Sequence, residues 1–172
     1  MSTVRSFPDR SVLSKHFAYN PETGVFSYAR DFRRFKKGDA AGTDHGSGYI
    51  QIFFGGGKFY AHRLAWWIVN GEIPEGMQID HIDCNRQNNA IGNLRLARRS
   101  EQQRNKVARS DNRSGLKGAI YNSRPGRRKH WRSCIKVDGK TIDLGWFFTA
   151  EDAHAAYVAA ARAHHGSFAR VE

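Results

Sequence analysis

The chain has 172 residues, enough for one domain or two small ones, and its 28 Lys and Arg against 16 Asp and Glu leave a formal net charge of +12. Such a balance suits a polyanionic partner, and 40% hydrophobic and 12% aromatic residues are enough to fold rather than stay disordered. Cys84 and Cys134 cannot build a disulfide framework or a four-cysteine zinc site, no apolar run nears the ~18 residues of a membrane span, and residues 1–10 lack the apolar stretch of a signal peptide, so an intracellular protein is expected.

In chain order, Val12–Phe17 reads as a short helix, Tyr19–Gly24 as a turn cornered by Pro21 and Gly24, and Val25–Tyr28 as a strand. Gly48–Phe54 and Lys58–His62 flank three glycines, Gly55 to Gly57, and so predict a hairpin. Arg63–Val69 is apolar nearly all round and meets its stop at Asn70-Gly71, which predicts a short buried helix. His62, just before it, reads as a packing or phosphate-contacting residue. Met77–Ile82 is a short strand ending in Asp80 and His81, a carboxylate beside an imidazole. That pair can hold a divalent cation and deprotonate a water, yet such dipeptides are common, and strict alternation would send the two side chains to opposite faces. They can share a site only at a strand end or a bulge. A polar loop from Asp83 to Asn89 follows, then Asn93–Leu96, then a helix capped by Ser100 and running to about Lys106.

His62-Arg-Leu-Ala-Trp66, Ile79-Asp-His-Ile-Asp83, Asn88-Asn89, Asn93-Leu-Arg95 and Ser100-Glu-Gln-Gln-Arg-Asn105, in that order, resemble an HNH endonuclease of the homing type found in phage genomes. The resemblance covers roughly Tyr19 to Asn105 and implies a ββα-metal fold holding one divalent cation, Mg²⁺ with Mn²⁺ as a substitute, and no structural zinc. By it, His81 is the general base, Asp80 a metal ligand, and Asn93 the residue that braces the loop and orients the base. The family's last position, normally Asn or His on the helix, is Gln102 here, which offers the same carbonyl on a longer stem. Asn105, one helical turn on, is a substitute ligand.

Positive charge is concentrated further on: Arg98 to Lys136 holds 13 basic residues against Glu101 and Asp111. Within it, Ala108–Gly115 has no hydrophobic periodicity and reads as a linker between a nuclease domain over 1–107 and a second domain over 116–172. Leu116–Tyr121, Lys129–Val137 and Lys140–Leu144 predict three strands, with Asp138-Gly139 a hairpin turn. In the middle strand Trp131, Ser133, Ile135 and Val137 share one face, and His130, Arg132, Cys134 and Lys136 the other. Thr149 caps a helix that stops at Gly166, and Ala153, Ala156, Tyr157, Ala160 and Ala161 form a small-residue stripe suited to lying close on a sheet.

Lys117-Gly118, Trp131, Gly139-Lys140, Leu144-Gly145, Phe147, Ala156-Tyr157 and His165-Gly166 resemble the DNA-binding domain of plant ethylene-response factors, over Gly115 to Ala169. The resemblance implies a sheet laid in the major groove. It makes the outward Arg132 and Lys136, with Lys117, Tyr121, Arg124, Arg127, Arg128 and Thr141, the DNA contacts, to which Arg95, Arg98, Arg99 and Arg104 are added. Thr141 and Asp143 stand where the plant pattern has aromatic and Arg residues, so the plant target sequence does not carry over.

The expectation is an α+β chain: a ββα-metal nuclease module preceded by a β-hairpin region, then a three-stranded antiparallel sheet on one helix. It is expected to act as a monomer on double-stranded DNA, in the cytoplasm of a bacterial host if phage-encoded, leaving a 5′ phosphate and a 3′ hydroxyl. Two rivals stay open: a DNA-binding protein with a degenerate nuclease half, and a nuclease that selects branched structures.

Overall fold

The computed structural model describes residues 7–44, 46–104, 112, 114–123, 126 and 128–169, and the chain divides into two compact units, Met1–Arg99 and Ser100–Glu172. The linker segment read at 108–115 falls largely outside the described residues.

The first unit opens with helix α1 (Arg10–Ser14), capped by Asp9, whose carboxylate accepts the Ser11 N–H at 2.7 Å. The helix read through Phe17 ends earlier, because Phe17 starts strand β1 (Phe17–Tyr19), paired antiparallel with β2 (Phe26–Tyr28). Tertiary burial overrides the local helical pattern here: Phe17 and Phe26 both enter the core. Strands β3 (Thr43–Asp44), β4 (Ile50–Phe54) and β5 (Gly57–Tyr60) make a three-stranded antiparallel sheet. Gly55 and Gly56 supply the two positive φ values, 55° and 71°, of its two-residue turn. Helix α2 (Ala61–Asn70) follows at once and stops at Gly71, φ 90°. It buries Ala61, His62, Leu64 and Ala65, and Leu13, Ile52, Leu64, Ile79 and Leu94 form the centre of one core.

Strands β6 (Met77–His81) and β7 (Leu94–Arg98) pair antiparallel, joined by a loop that closes with a single 3₁₀ turn. Helix α3 (Arg99–Arg104) follows, so the chain order here is ββα, and Ser100 lies inside the first turn of that helix instead of capping it.

In the second unit, β8 (Ala119–Tyr121), β9 (Trp131–Val137) and β10 (Lys140–Phe147) form an antiparallel sheet in the order β10-β9-β8. Asp138 and Gly139, φ 47° and 83°, turn the β9–β10 hairpin. Strand β10 runs three residues past the expected end because a bulge between Asp143 and Gly145 absorbs Leu144 and lets pairing resume. Helix α4 (Ala150–His165) is capped by Thr149, whose hydroxyl accepts the Asp152 N–H at 3.1 Å, and Ala150 and Ala153 pack with Ala119 and Trp131. The sheet end meets this helix closely: a Cβ on Gly118 would fall 2.2 Å from the Tyr157 ring. Only glycine fits there.

Candidate active site

The site grows from the end of β6. Ile79, Asp80 and His81 are all buried, although successive strand residues point to opposite faces, so this end of the β6–β7 hairpin is covered on both sides. His81 Nε2 lies 3.1 Å from Asn89 Oδ1, and the Asn89 amide is oriented by its own Nδ2–H, which donates to the Gln87 carbonyl. An acceptor facing Nε2 places the ring proton there and the lone pair on Nδ1. Burial holds the imidazole below the ordinary histidine range, against the opposing pull of the Asn89 bond and the Asp83 and Asp80 charges. His81 is therefore neutral at neutral pH and equipped to take a proton.

The loop after β6 is stapled by amides. Asn93 Nδ2 donates to Asp83 Oδ1 at 2.9 Å and to the Asn88 carbonyl at 2.8 Å, while Asn93 Oδ1 accepts the Asp83 N–H. Asn88 Nδ2 donates to the other Asp83 oxygen at 2.7 Å. Desolvation would raise the Asp83 carboxyl, but the bonds from Asn88, Asn93 and the Asn85 N–H win and hold it below the usual carboxylate range. Asn93 thus ties the loop to itself, and the side chain meeting His81 Nε2 is that of Asn89.

Asn89 is fixed from the N-terminal hairpin. The Tyr19 hydroxyl donates to the Asn89 carbonyl at 2.8 Å, and burial pushes that phenol up to about 12, which keeps it a donor. Ile91 N–H donates to the Pro21 carbonyl, and at Gly24, φ 74°, a Cβ would lie 2.2 Å from the backbone of Asn89 and Ala90. The glycine of the turn is what lets the two segments touch.

Asp80 sits across the ladder from Arg95, and both Nε and Nη2 of that guanidinium reach its Oδ2, at 3.0 and 2.9 Å. Arg95, expected among the DNA contacts, is mostly buried in this pair. Among the described residues Asp80 is the one buried carboxylate, and no three His, Cys, Asp or Glu side chains gather as a metal cage. The regular register sets the Asp80 and His81 side chains on opposite faces of β6, so Asp80 offers one carboxylate to a hard cation such as Mg²⁺ that keeps most of its waters, and Arg95 and the cation would share it.

His62 packs edge-on against His81 at 5.1 Å and stacks with Tyr60, while Tyr49 lies 5.1 Å from His62 and 6.0 Å from His81. Its Nδ1 is buried with no hydrogen-bond partner among the described residues, and burial, aided by the His81 and Arg63 charges, lowers its pKa to about 3. Sequence reasoning placed His62 before the helix, whereas it is the second residue of α2 and is buried by it, and it missed this contact. Asn89 was also missed as a partner of the base, since one asparagine of a polar loop looks like the next. Gln102 lies on α3 in the second unit, and Asn105, Arg124, Arg127 and the Arg104 side chain lie outside what the structure describes.

On β9, Arg132 and Lys136 share a face with Thr141 and Asp143 of β10, opposite the buried Ser133 and Ile135. Arg132 donates to Asp143 through Nε and Nη2 at 3.2 and 3.0 Å. Arg98, Arg99 and Arg128 are exposed, and Lys117 is half-buried with its ammonium 6.0 Å over the Tyr157 ring. Tyr121, read as a DNA contact, pairs with Trp131 and so stands on the helix-facing side of the sheet, meeting the Trp131 ring edge-on.

Residues 59–104 match the family model described as HNH endonuclease. The chain is 42% identical to Protein 3.8 of Escherichia phage T7 over 79 residues, 46% of this chain and 63% of that protein. It is 32% identical to an uncharacterized HNH endonuclease, L560, of Acanthamoeba polyphaga mimivirus, over 72% of this chain and 62% of that one. The chain thus spans less than two thirds of either relative. A solved structure titled DNA binding and cleavage by the HNH homing endonuclease I-HmuI aligns over 88% of each chain at 21% identity with a TM-score of 0.40, a likeness too loose to build on.

Proposed function

We propose that this chain is a divalent-cation-dependent DNA endonuclease in which His81 is the general base. The observation that carries the reading is a buried, neutral imidazole whose tautomer is set by Asn89, next in the chain to a buried carboxylate, inside the segment that matches HNH endonucleases. His81 Nδ1 takes a proton from a water as that water's oxygen bonds to phosphorus; the P–O3′ bond breaks, and O3′ leaves and is protonated by solvent. The products are a 5′ phosphate and a 3′ hydroxyl. Asp80 would hold the cation, which when bound supplies positive charge against the phosphate and the leaving oxygen. Asn89 and the Asp83–Asn88–Asn93 staple keep the base in place during the reaction.

The second unit holds the enzyme on duplex DNA through the Arg132 and Lys136 face, with the sheet acting as the ethylene-response-factor resemblance implies. One nuclease site per monomer nicks one strand.

The test is cleavage of fragmented source-genome DNA by purified protein with Mg²⁺, Mn²⁺ or EDTA, beside His81→Ala. Discrete metal-dependent nicks that fall by about 10²–10⁴-fold in the variant, with DNA binding retained, support the reading. If neither protein cuts and both bind, the rival of a DNA-binding protein with a silent nuclease half prevails. Gln102 in the family's last position and the Arg95 grip on Asp80 favour that rival, and Gln102→Asn is then the first reversion to make.

A further inference from the structure

The first unit carries a concave feature that the cleavage chemistry does not use: a cleft of about 530 Å³ at the end of the β4–β5 hairpin. Its walls are aromatic and cationic, with Phe32, Phe35, Phe53 and Phe54 alongside Arg30 and Arg33, and none of its lining residues is acidic. The residues around His81, namely Asn89, His62 and Tyr49, do not line it. Deep in the cleft the rings are packed: Phe35 stacks on Tyr28 at 4.6 Å, and Phe54 meets Phe17 edge-on at 5.7 Å. At the mouth they are bare, Phe53 being 67% exposed and Phe32 43% exposed. Isolated apolar exposure needs no explanation, but two phenylalanines framing one cleft do.

Cations surround these rings. Lys58 Nζ lies 5.6 Å from the Phe53 centroid, and the Arg33 guanidinium lies 5.4 Å from that of Phe32. Phe32 and Phe35 exchange backbone hydrogen bonds across a two-residue turn, Arg33-Arg34, in which Arg33 has φ 54°. That turn position favours glycine, so an arginine there keeps a cation at the cleft mouth at a cost in backbone strain. The nearby carboxylate of Asp31 is occupied, accepting from Lys36 Nζ at 3.1 Å and from the Lys37 N–H, and Asp39 accepts the Lys36 N–H. The field at the mouth is therefore positive.

Bare rings beside fixed cations are what a planar base on an anionic backbone needs: stacking holds the base and the cations meet its phosphates. An apolar peptide segment would leave the cations without partners, and a base inside a duplex has both faces covered by its neighbours. We propose that this cleft binds an unpaired nucleotide of a DNA strand, giving the protein a preference for DNA that carries an unstacked base. The proposal rests on the reading that DNA is the substrate, but the binding it claims needs neither metal nor cleavage.

The test uses full-length His81→Ala protein and a single-stranded oligodeoxynucleotide carrying one 5-iododeoxyuridine, a base that crosslinks to stacked aromatic side chains under long-wavelength light. Mass mapping is expected to place the crosslink on Phe53 or Phe32. The Phe32→Ala/Phe53→Ala double variant should lose it and bind the single strand about tenfold more weakly, with duplex affinity changed less than about twofold. Both rings are exposed, so an unchanged melting temperature is expected and checks that the variant is folded. Crosslinks only at other residues, unchanged single-strand affinity in the double variant, or equal protection by free thymidine monophosphate would overturn the proposal. Absence of cleavage in the wild type would sink the endonuclease reading while leaving this experiment interpretable.

Discussion

The polar side chains around His81 and those on the open face of the β8–β9–β10 sheet are built on opposite plans. Around His81, Asn89, Asn93, Asn88 and Asp83 are tied to one another and to backbone, with donors and acceptors matched in a loop whose surface is open but whose Asn89 is buried against the base. On the sheet, Lys136 stands exposed, and Arg132 is held by Asp143, itself about half exposed. Moving a proton in a reacting complex needs a base held to a fraction of an ångström, whereas meeting phosphates needs only charge within reach. A substitution in the first region should therefore change rate, and one in the second should change affinity and its salt dependence.

Asn89→Ala should break the plan most severely. It removes the acceptor that sets the His81 tautomer, and cleavage is expected to fall about 10²-fold at saturating enzyme with DNA affinity little changed. An equal loss in affinity would show that the loop is a binding element instead. Gly24→Ala comes next. Its Cβ cannot be accommodated beside the Asn89 backbone without a shift, so single-turnover cleavage should drop by roughly tenfold or more although Gly24 is remote in sequence from the base. Arg132→Ala combined with Lys136→Ala should weaken duplex binding severalfold and lower the salt slope by about one to two, with single-turnover cleavage at saturation near that of wild type.

The smallest effect is silent at neutral pH. The folded pKa of His62 is lowered to about 3, below the ordinary histidine value of 6.5, so between these limits the unfolded chain binds more protons than the folded one. Stability from this group is complete above about pH 6.5 and is lost as pH falls toward 3, with His81 pulling in the same direction. Urea titrations should show His62→Phe, which keeps the stacking ring, losing less stability than wild type across that window. Parallel curves would mean that His62 does not titrate differently on folding.

Features set by a few adjacent residues were legible in the sequence. The Gly55-Gly56 and Asp138-Gly139 turns, the stops at Gly71 and Gly166 and the Thr149 cap each need a positive φ or one side-chain oxygen. Phe17 was misread because its strand exists only through pairing with Tyr28 and burial beside Phe26. Asp80 and His81 stood out by chemistry, but that Arg95 would cover Asp80 depends on cross-strand register, which the turn lengths alone do not set. Asn89 could not be told from Asn85 or Asn88 until the loop closed on Tyr19 and Gly24.

Gly24 also bears on how much of this chain is portable. The segment that matches the nuclease family runs from 59 to 104, and a protein engineer would cut there to transplant the proposed scission chemistry into a new scaffold. Such a fragment would leave behind the turn whose missing Cβ makes room for the backbone of Asn89, and the phenol that grips its carbonyl. The smallest transferable cassette therefore begins at Tyr19, forty residues before the motif does.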